Sequence, residues 1–320
     1  MAHILVEFLT FGAPDVTIAR MKRLKTLALA AAAAACGAII TAAAIPVSGQ
    51  AQAAYRAPRT ADGKPDFNGI WQALNEANWD IEPHMARAAL QLRPGPYGPV
   101  PAAAVLALGA VGSVPPGMGI VEGGEIPYKP EARAKQKENL EHWVERDPEI
   151  KCYLPGVPRA NYMPQPFQIF QSPSAIFFAY QYDGAVRNVY LKDPGPAPVD
   201  SWMGQSVAKW DGETLVIDVT GFNDSTWFDR SGNFHTDALH VVERYTRVQP
   251  DVIAYEATIE DPNVFTRPWK IGFPLYRRLD KNAQIMDFKC VEFVEELMYG
   301  HLRKKTGKEK PFAAARMRWP

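Results

Sequence analysis

The chain has 320 residues, with 35 Lys+Arg against 35 Asp+Glu and 47% hydrophobic side chains. That apolar content excludes a disordered chain, and 23 glycines with no heptad or triplet repeat exclude coiled coil and collagen. The charge balance argues against a dedicated nucleic-acid binder, which carries a basic excess.

Residues 1–53 read as a secretory leader. Met21-Lys22-Arg23-Leu24-Lys25 is a basic n-region, Thr26 to Ile45 is an alanine-rich apolar run, and Ala51-Gln52-Ala53 is an A-x-A cleavage site. Met21 is then the natural start, because Glu7 and Asp15 precede the n-region. A membrane anchor is the alternative, but poly-alanine is a weak span. A lipoprotein at Cys36 would have Ala33 where a lipobox prefers Leu. After cleavage the protein spans no membrane and is expected in the periplasm or outside the cell. Its oligomeric state is left open. Cys152 and Cys290 remain, and an oxidising compartment makes them either one disulfide or two buried thiols.

A single β-barrel-like domain is expected over 54–300. Residues 55–66 form a polar lead-in arm, and Phe67–Leu74 reads as a short strand. An irregular, partly helical insertion covers 76–150, where Pro94-Gly95-Pro96 and Pro115-Pro116-Gly117 forbid long regular elements. One short helix is expected near His84–Leu92. A clear one spans Pro130–Arg146, with Pro130 at its first position and Asp147-Pro148 as its stop. From Phe167 onward the texture is strands and tight turns. Hairpins are predicted at Asp183-Gly184, Asp211-Gly212, Gln249-Pro250-Asp251 and Asp280-Lys281-Asn282, the last joining Trp269–Leu279 to Ala283–Phe293. The strands alternate: Leu215, Ile217 and Val219 oppose Thr214, Val216 and Asp218. About eight antiparallel strands and the one at Trp71 suggest a meander curling into a barrel. Residues 301–320 are a basic, exposed tail.

The fragment Asn68-Gly69-Ile70-Trp71 resembles the G-x-W opening of lipocalin-type barrels, in which the Trp closes the barrel floor. The resemblance implies a mainly β, antiparallel lipocalin-like barrel or strongly curved sheet. Further pieces are Trp202-Met203-Gly204-Gln205-Ser206, Trp210-Asp211-Gly212-Glu213-Thr214-Leu215-Val216, Gly221-Phe222-Asn223-Asp224, Thr226-Trp227 and His235 through Arg244. Together these resemble a large family of secreted bacterial proteins, which implies a shared fold and export and supplies no catalytic residue.

The densest polar cluster runs from Asn223 to Arg244. His235 and His240 with Asp229 or Glu243 have the chemistry of an acid–base pair near neutral pH. Two histidines and a carboxylate also form a minor candidate metal site, and a hydrogen-bonded structural corner explains the same residues. His240 and Glu243 fall on opposite faces of a regular strand. Asp229, beside Trp227 and Phe228, is a carboxylate whose pKa burial would raise. Trp71, Arg159, Tyr162, Tyr180, Trp202 and Trp227 are candidate ligand contacts around an apolar pocket. Gly204-Gln205-Ser206-Val207-Ala208 nearly matches a nucleophile elbow, but no helix is expected after Ser206, so a strand start that needs Gly204 for close packing is preferred. No dinucleotide, Walker, haem or HExxH motif is present, and no cofactor is expected. These features point to an exported enzyme acting on a small apolar molecule by His/carboxylate chemistry, as lyase, isomerase or hydrolase. The alternative is a non-catalytic periplasmic binding protein for such a molecule.

Overall fold

A computed structural model describes residues 55–88, 92–93, 100–101, 113–288 and 290. The leader over 1–53 and the tail over 301–320 lie outside the described residues.

Nine strands close into a barrel: β1 (Gly69–Ala73), β2 (Phe167–Gln171), β3 (Ile176–Tyr180), β4 (Val186–Tyr190), β5 (Gln205–Asp211), β6 (Thr214–Thr220), β7 (His240–Gln249), β8 (Val252–Glu260) and β9 (Trp269–Arg277). The mainly β, lipocalin-like barrel with a helical insertion is therefore the fold. Sequence neighbours pair along the meander, and β1 closes it by pairing antiparallel to both β9 and β2. The hairpins follow their turn chemistry. Asp183 and Gly184 both take positive φ at the β3–β4 turn, and Gly212 does so between β5 and β6.

Period-2 alternation builds the core. Along β7, Val241, Glu243, Tyr245 and Arg247 are buried while their neighbours are half-exposed; β8 repeats this with Ile253, Tyr255, Ala257 and Ile259. Register then stacks the inward rows: Tyr245 opposite Tyr255, and Tyr255 opposite Phe273. Burying an aromatic or aliphatic side chain of this size stabilises by roughly 1.5–3 kcal/mol.

Trp71 of β1 is fully buried. Its indole N–H donates to the Phe67 carbonyl at 2.9 Å, and the Arg277 and Arg247 guanidinium carbons sit 4.8 and 5.7 Å from the ring centroid. The glycine of the G-x-W motif has a reason. Gly69 has φ of +139°, and a Cβ there would lie 3.2 Å from the Arg277 guanidinium that caps the Trp.

Four expectations are corrected. First, the fourth hairpin is absent: 283–288 are not strand, because the second edge of β9 is taken by β1 and no partner is left for them. Residues 289 and 291–293 lie outside the described set. Second, β4 and β5 pair in parallel, through Val189↔Ser206 and Tyr190↔Val207. The Pro-rich segment 191–204 carries the chain back along the barrel before β5 begins, so β5 runs in the same direction as β4. Third, helix α1 covers Pro130–Glu141, and Trp143–Arg146 forms a separate turn after a break at His142. Its buried face is Ala132, Gln136 and Asn139, with Gln136 Nε2 donating to Ser231 O at 2.6 Å and Asn139 Nδ2 to Gly232 O at 3.3 Å. Fourth, no helix forms among the described residues of 84–92; Arg87–Ala88 instead pairs with Ser113–Val114. The insertion then runs beside β9, where Val121 bridges Ile271.

Cys152 and Cys290 are disulfide-bonded. Among the described residues no helix is long and apolar enough to cross a membrane.

Candidate functional site

The inward row of β7 places Glu243 inside the barrel, fully buried. Its Oε1 accepts from Asn161 Nδ2 at 2.8 Å and from the hydroxyls of Tyr245 and Tyr255, both at 2.9 Å. Its Oε2 pairs with Arg187 Nη2, projected inward from β4. Arg187 Nε donates to Ser206 Oγ at 2.7 Å, and Tyr180 donates to Asn161 Oδ1 at 3.1 Å. Burial opposes the charge of Arg187, but Glu243 outweighs it and holds the guanidinium ionised. Burial, with the Glu243 charge, raises the Tyr245 and Tyr255 hydroxyls well above their ordinary range, so both remain donors at neutral pH. One polar atom of the cluster is left over: Arg187 Nη1 is buried with no hydrogen-bond partner among the described residues.

Asp229 organises a second cluster, between the insertion and the 221–239 loops. Oδ1 accepts from the Ser231 and Asn233 amides at 2.9 and 3.2 Å; Oδ2 accepts from the Ile81 amide at 2.9 Å and Asn233 Nδ2 at 2.6 Å. Burial, reinforced by Asp80, outweighs these donors and pushes its pKa from 3.8 to about 8. Since the folded pKa is the raised one, the folded state keeps a proton that the unfolded chain releases above about pH 4. Stability therefore falls as pH rises from about 4 to about 8, by up to about 1.4 kcal/mol per pH unit, and levels off beyond. Urea unfolding across this range should show that fall in the wild type and a flatter profile in Asp229→Asn. Equal slopes would remove Asp229 as its source.

The two histidines are not together. His235 is buried: Nδ1–H donates to the Thr236 carbonyl at 2.8 Å, and Nε2 accepts from Thr226 Oγ1 at 2.5 Å. Burial lowers its pKa and keeps the ring neutral. His240 lies on the outer face of β7, with Nε2 3.2 Å from Asp218 and Nδ1 3.6 Å from Glu260. Neither approaches Asp229 or Glu243 within a hydrogen bond, so the expected His–carboxylate pair is not assembled. Among the described residues no group of three His, Cys, Asp or Glu gathers as a metal site.

The candidate ligand contacts also separate. Trp71 is buried beneath Arg247 and Arg277. Arg159 is buried against Asp147 in a bidentate pair at 2.9 and 3.1 Å, with its Nε donating to Asn78 Oδ1 at 2.9 Å. Tyr162 is buried and donates to the Phe228 carbonyl at 2.8 Å. Trp227 is buried and bridges to Phe234. Tyr180 belongs to the Glu243 cluster.

Trp202 alone among them lines an open groove of about 340 Å³. One wall is β4, through Val186, Asn188 and Tyr190; the other is the 197–205 segment. Trp202 packs against Tyr153, ring centroids 4.7 Å apart, and Gln205 Nε2 holds the loop by donating to Gly195 O at 2.6 Å. Gly204 has φ of +64°, and a Cβ would lie 2.9 Å from Thr220 O, which is the close packing expected of it. Ser206 is a strand residue facing Arg187, not an elbow nucleophile.

No family model, curated protein or solved structure matches the chain.

The groove sits over the seam where β4 and β5 part. They pair only at Val189–Tyr190 with Ser206–Val207. Arg187, just before that pairing, lies at the groove and belongs at the same time to the buried cluster. Arg187, Asn161, Tyr245 and Tyr255 escaped the sequence reading. Arg187 had a signal: it shares a strand face with the apolar Val189, an unfavourable place for a cation without a partner.

Proposed function

We propose that the protein is exported and binds a small, largely apolar molecule in the groove between β4 and the 197–205 segment. The observation that carries this is the exposure of its apolar lining: Val199 is 74% exposed, Val186 54% and Tyr190 42%. Side chains of this kind gathered around a concave surface gain by covering one another with a ligand. The volume lies within the range for small-molecule sites. The basic n-region, the A-x-A site and the disulfide support export to the periplasm or beyond. The likeness to secreted bacterial proteins belongs to the same proposal.

Binding is favoured over acid–base catalysis because neither histidine lines the groove. His235 has both ring nitrogens engaged, and His240 lies on the barrel's outer face against Asp218 and Glu260.

The test is titration with a neutral fluorescent apolar probe, N-phenylnaphthylamine. Saturable enhancement is expected, weakened about tenfold or more in Val199→Asp, which places a charge in the groove on an exposed residue. The melting temperature of that variant should stay at the wild-type value. Absence of saturable binding would overturn the proposal, as would equal binding by the variant.

A further inference from the structure

Resting on the groove as the binding site, we infer that its occupant is a short, extended apolar peptide that hydrogen-bonds through its backbone to the open edge of β4.

The direction of that edge follows from the β3–β4 ladder. Tyr180 N donates to Ala185 O at 2.8 Å, and the register sets Phe178 opposite Arg187 and Ile176 opposite Val189. Ala185, Arg187 and Val189 therefore turn their N–H and C=O groups toward β3, and the residues between them turn theirs to the other edge. β5 takes that edge only at Val189 and Tyr190. Ahead of it, the N–H and C=O of Val186 and the N–H of Asn188 have no hydrogen-bond partner among the described residues. The groove reaches this backbone. Val186 and Asn188 line it, and so does Arg187, whose inward side chain is 1% exposed and which thus meets the groove through its main chain.

The spacing of these groups selects the ligand. A donor and an acceptor on Val186 are followed, about 7 Å along the strand, by a second donor on Asn188. A lone carbonyl engages one of them. An extended polyamide repeats its own N–H and C=O groups at that interval and engages all three. The open edge is three residues long, about 10 Å, which a tripeptide matches. The walls set its side chains. Val186 and Tyr190 stand on the outer face of β4, with Val199 and Trp202 across the groove. Arg187, the one charged residue of the lining, is turned inward onto Glu243, so a charged peptide side chain would find no counter-ion here. Valine, isoleucine or phenylalanine side chains cover such a surface.

Displacement of N-phenylnaphthylamine tests this with three probes: acetyl-Val-Phe-Val-amide, the same peptide methylated on its residue nitrogens, and ethylnaphthalene as an apolar control without amides. The unmodified peptide should bind about tenfold or more tightly than the methylated one. It should also slow hydrogen exchange at the Val186 and Asn188 amides about tenfold or more, which ethylnaphthalene should not. Val186→Pro, at the first residue of β4, removes an N–H that the β3 ladder does not use. Ala185, with φ −59° and ψ 141°, already has the backbone that a residue before proline adopts. This variant should bind the unmodified peptide about fivefold more weakly and ethylnaphthalene as the wild type does. Equal affinities of the two peptides for the wild type, unchanged exchange at both amides, or undiminished peptide affinity in the folded variant would overturn the inference. So would displacement by ethylnaphthalene but not by the peptide, and the groove would then stand. No saturable N-phenylnaphthylamine signal would overturn the groove itself and the inference with it. The wild-type measurements decide the matter even if Val186→Pro does not fold.

Discussion

Replacing Arg187 with methionine is expected to destabilise the protein by about 3–5 kcal/mol, read as a lower urea midpoint. The side chains of Arg187 and Glu243 are 1% and 0% exposed, so neither charge has access to water. Removing the cation leaves the Glu243 side chain inside the barrel without its Arg187 partner, and among the described residues no other cation pairs with it. Ser206 Oγ also loses its donor. The double variant Arg187→Met, Glu243→Gln should recover a large part of the loss. Glutamine keeps an oxygen for Asn161, Tyr245 and Tyr255 while removing the charge. A double variant no more stable than Arg187→Met would mean that packing around the guanidinium, which lies 5.5 Å from the Phe178 ring centroid, matters more than its charge.

Reduction of the Cys152–Cys290 bridge is expected to cost about 5 kcal/mol in the chain-entropy account. The two cysteines are 138 residues apart. Every barrel strand from β2 to β9 lies between them, so the bridge restricts the unfolded chain more than a short loop would. In the folded state the link draws the segment after β9 along the β3–β4 turn. Met286 N donates to Gln181 Oε1 at 3.0 Å, and the rings of Phe288 and Tyr182 lie 5.6 Å apart. The Cys152→Ser, Cys290→Ser variant and the reduced wild type should unfold at the same, lower urea concentration. Unchanged midpoints would show the bridge to be idle in the unfolded ensemble.

The parts of the fold that local chemistry decides were legible in the sequence. Asp183-Gly184 demands positive φ, and the chain turns there. The alternation of β7 places Val241, Glu243 and Tyr245 on one face, and that face is the interior. The parallel seam was not legible, because a run of prolines states that a segment is irregular but not in which direction it returns. Nor was the partner of β9: Trp269–Arg277 reads as one arm of a hairpin, while its actual neighbour β1 lies about 200 residues earlier, too far for any turn signal. The candidate site divides in the same way. Trp202 belongs to a recognisable sequence block and does line the groove. The histidine cluster looked chemical because His235, Asp229 and Glu243 are close in sequence. Strand direction and burial separate them, and Glu243 instead meets Arg187 from a strand 56 residues away. Arg187 beside Val189 on one strand face, and Glu243 between Val241 and Tyr245 on another, were the advance notice of that pair.

Pro198 has a consequence for assembly. Closing a barrel removes the free strand edges through which sheets add to one another. Here, among the described residues, β4 keeps an unpaired stretch beside Val186–Asn188, where a strand from another copy would find backbone partners. The segment across the groove from that stretch includes Pro198, which has no amide hydrogen to donate. A proline there cannot extend the sheet, and edge-to-edge addition of another copy would have to displace this segment first.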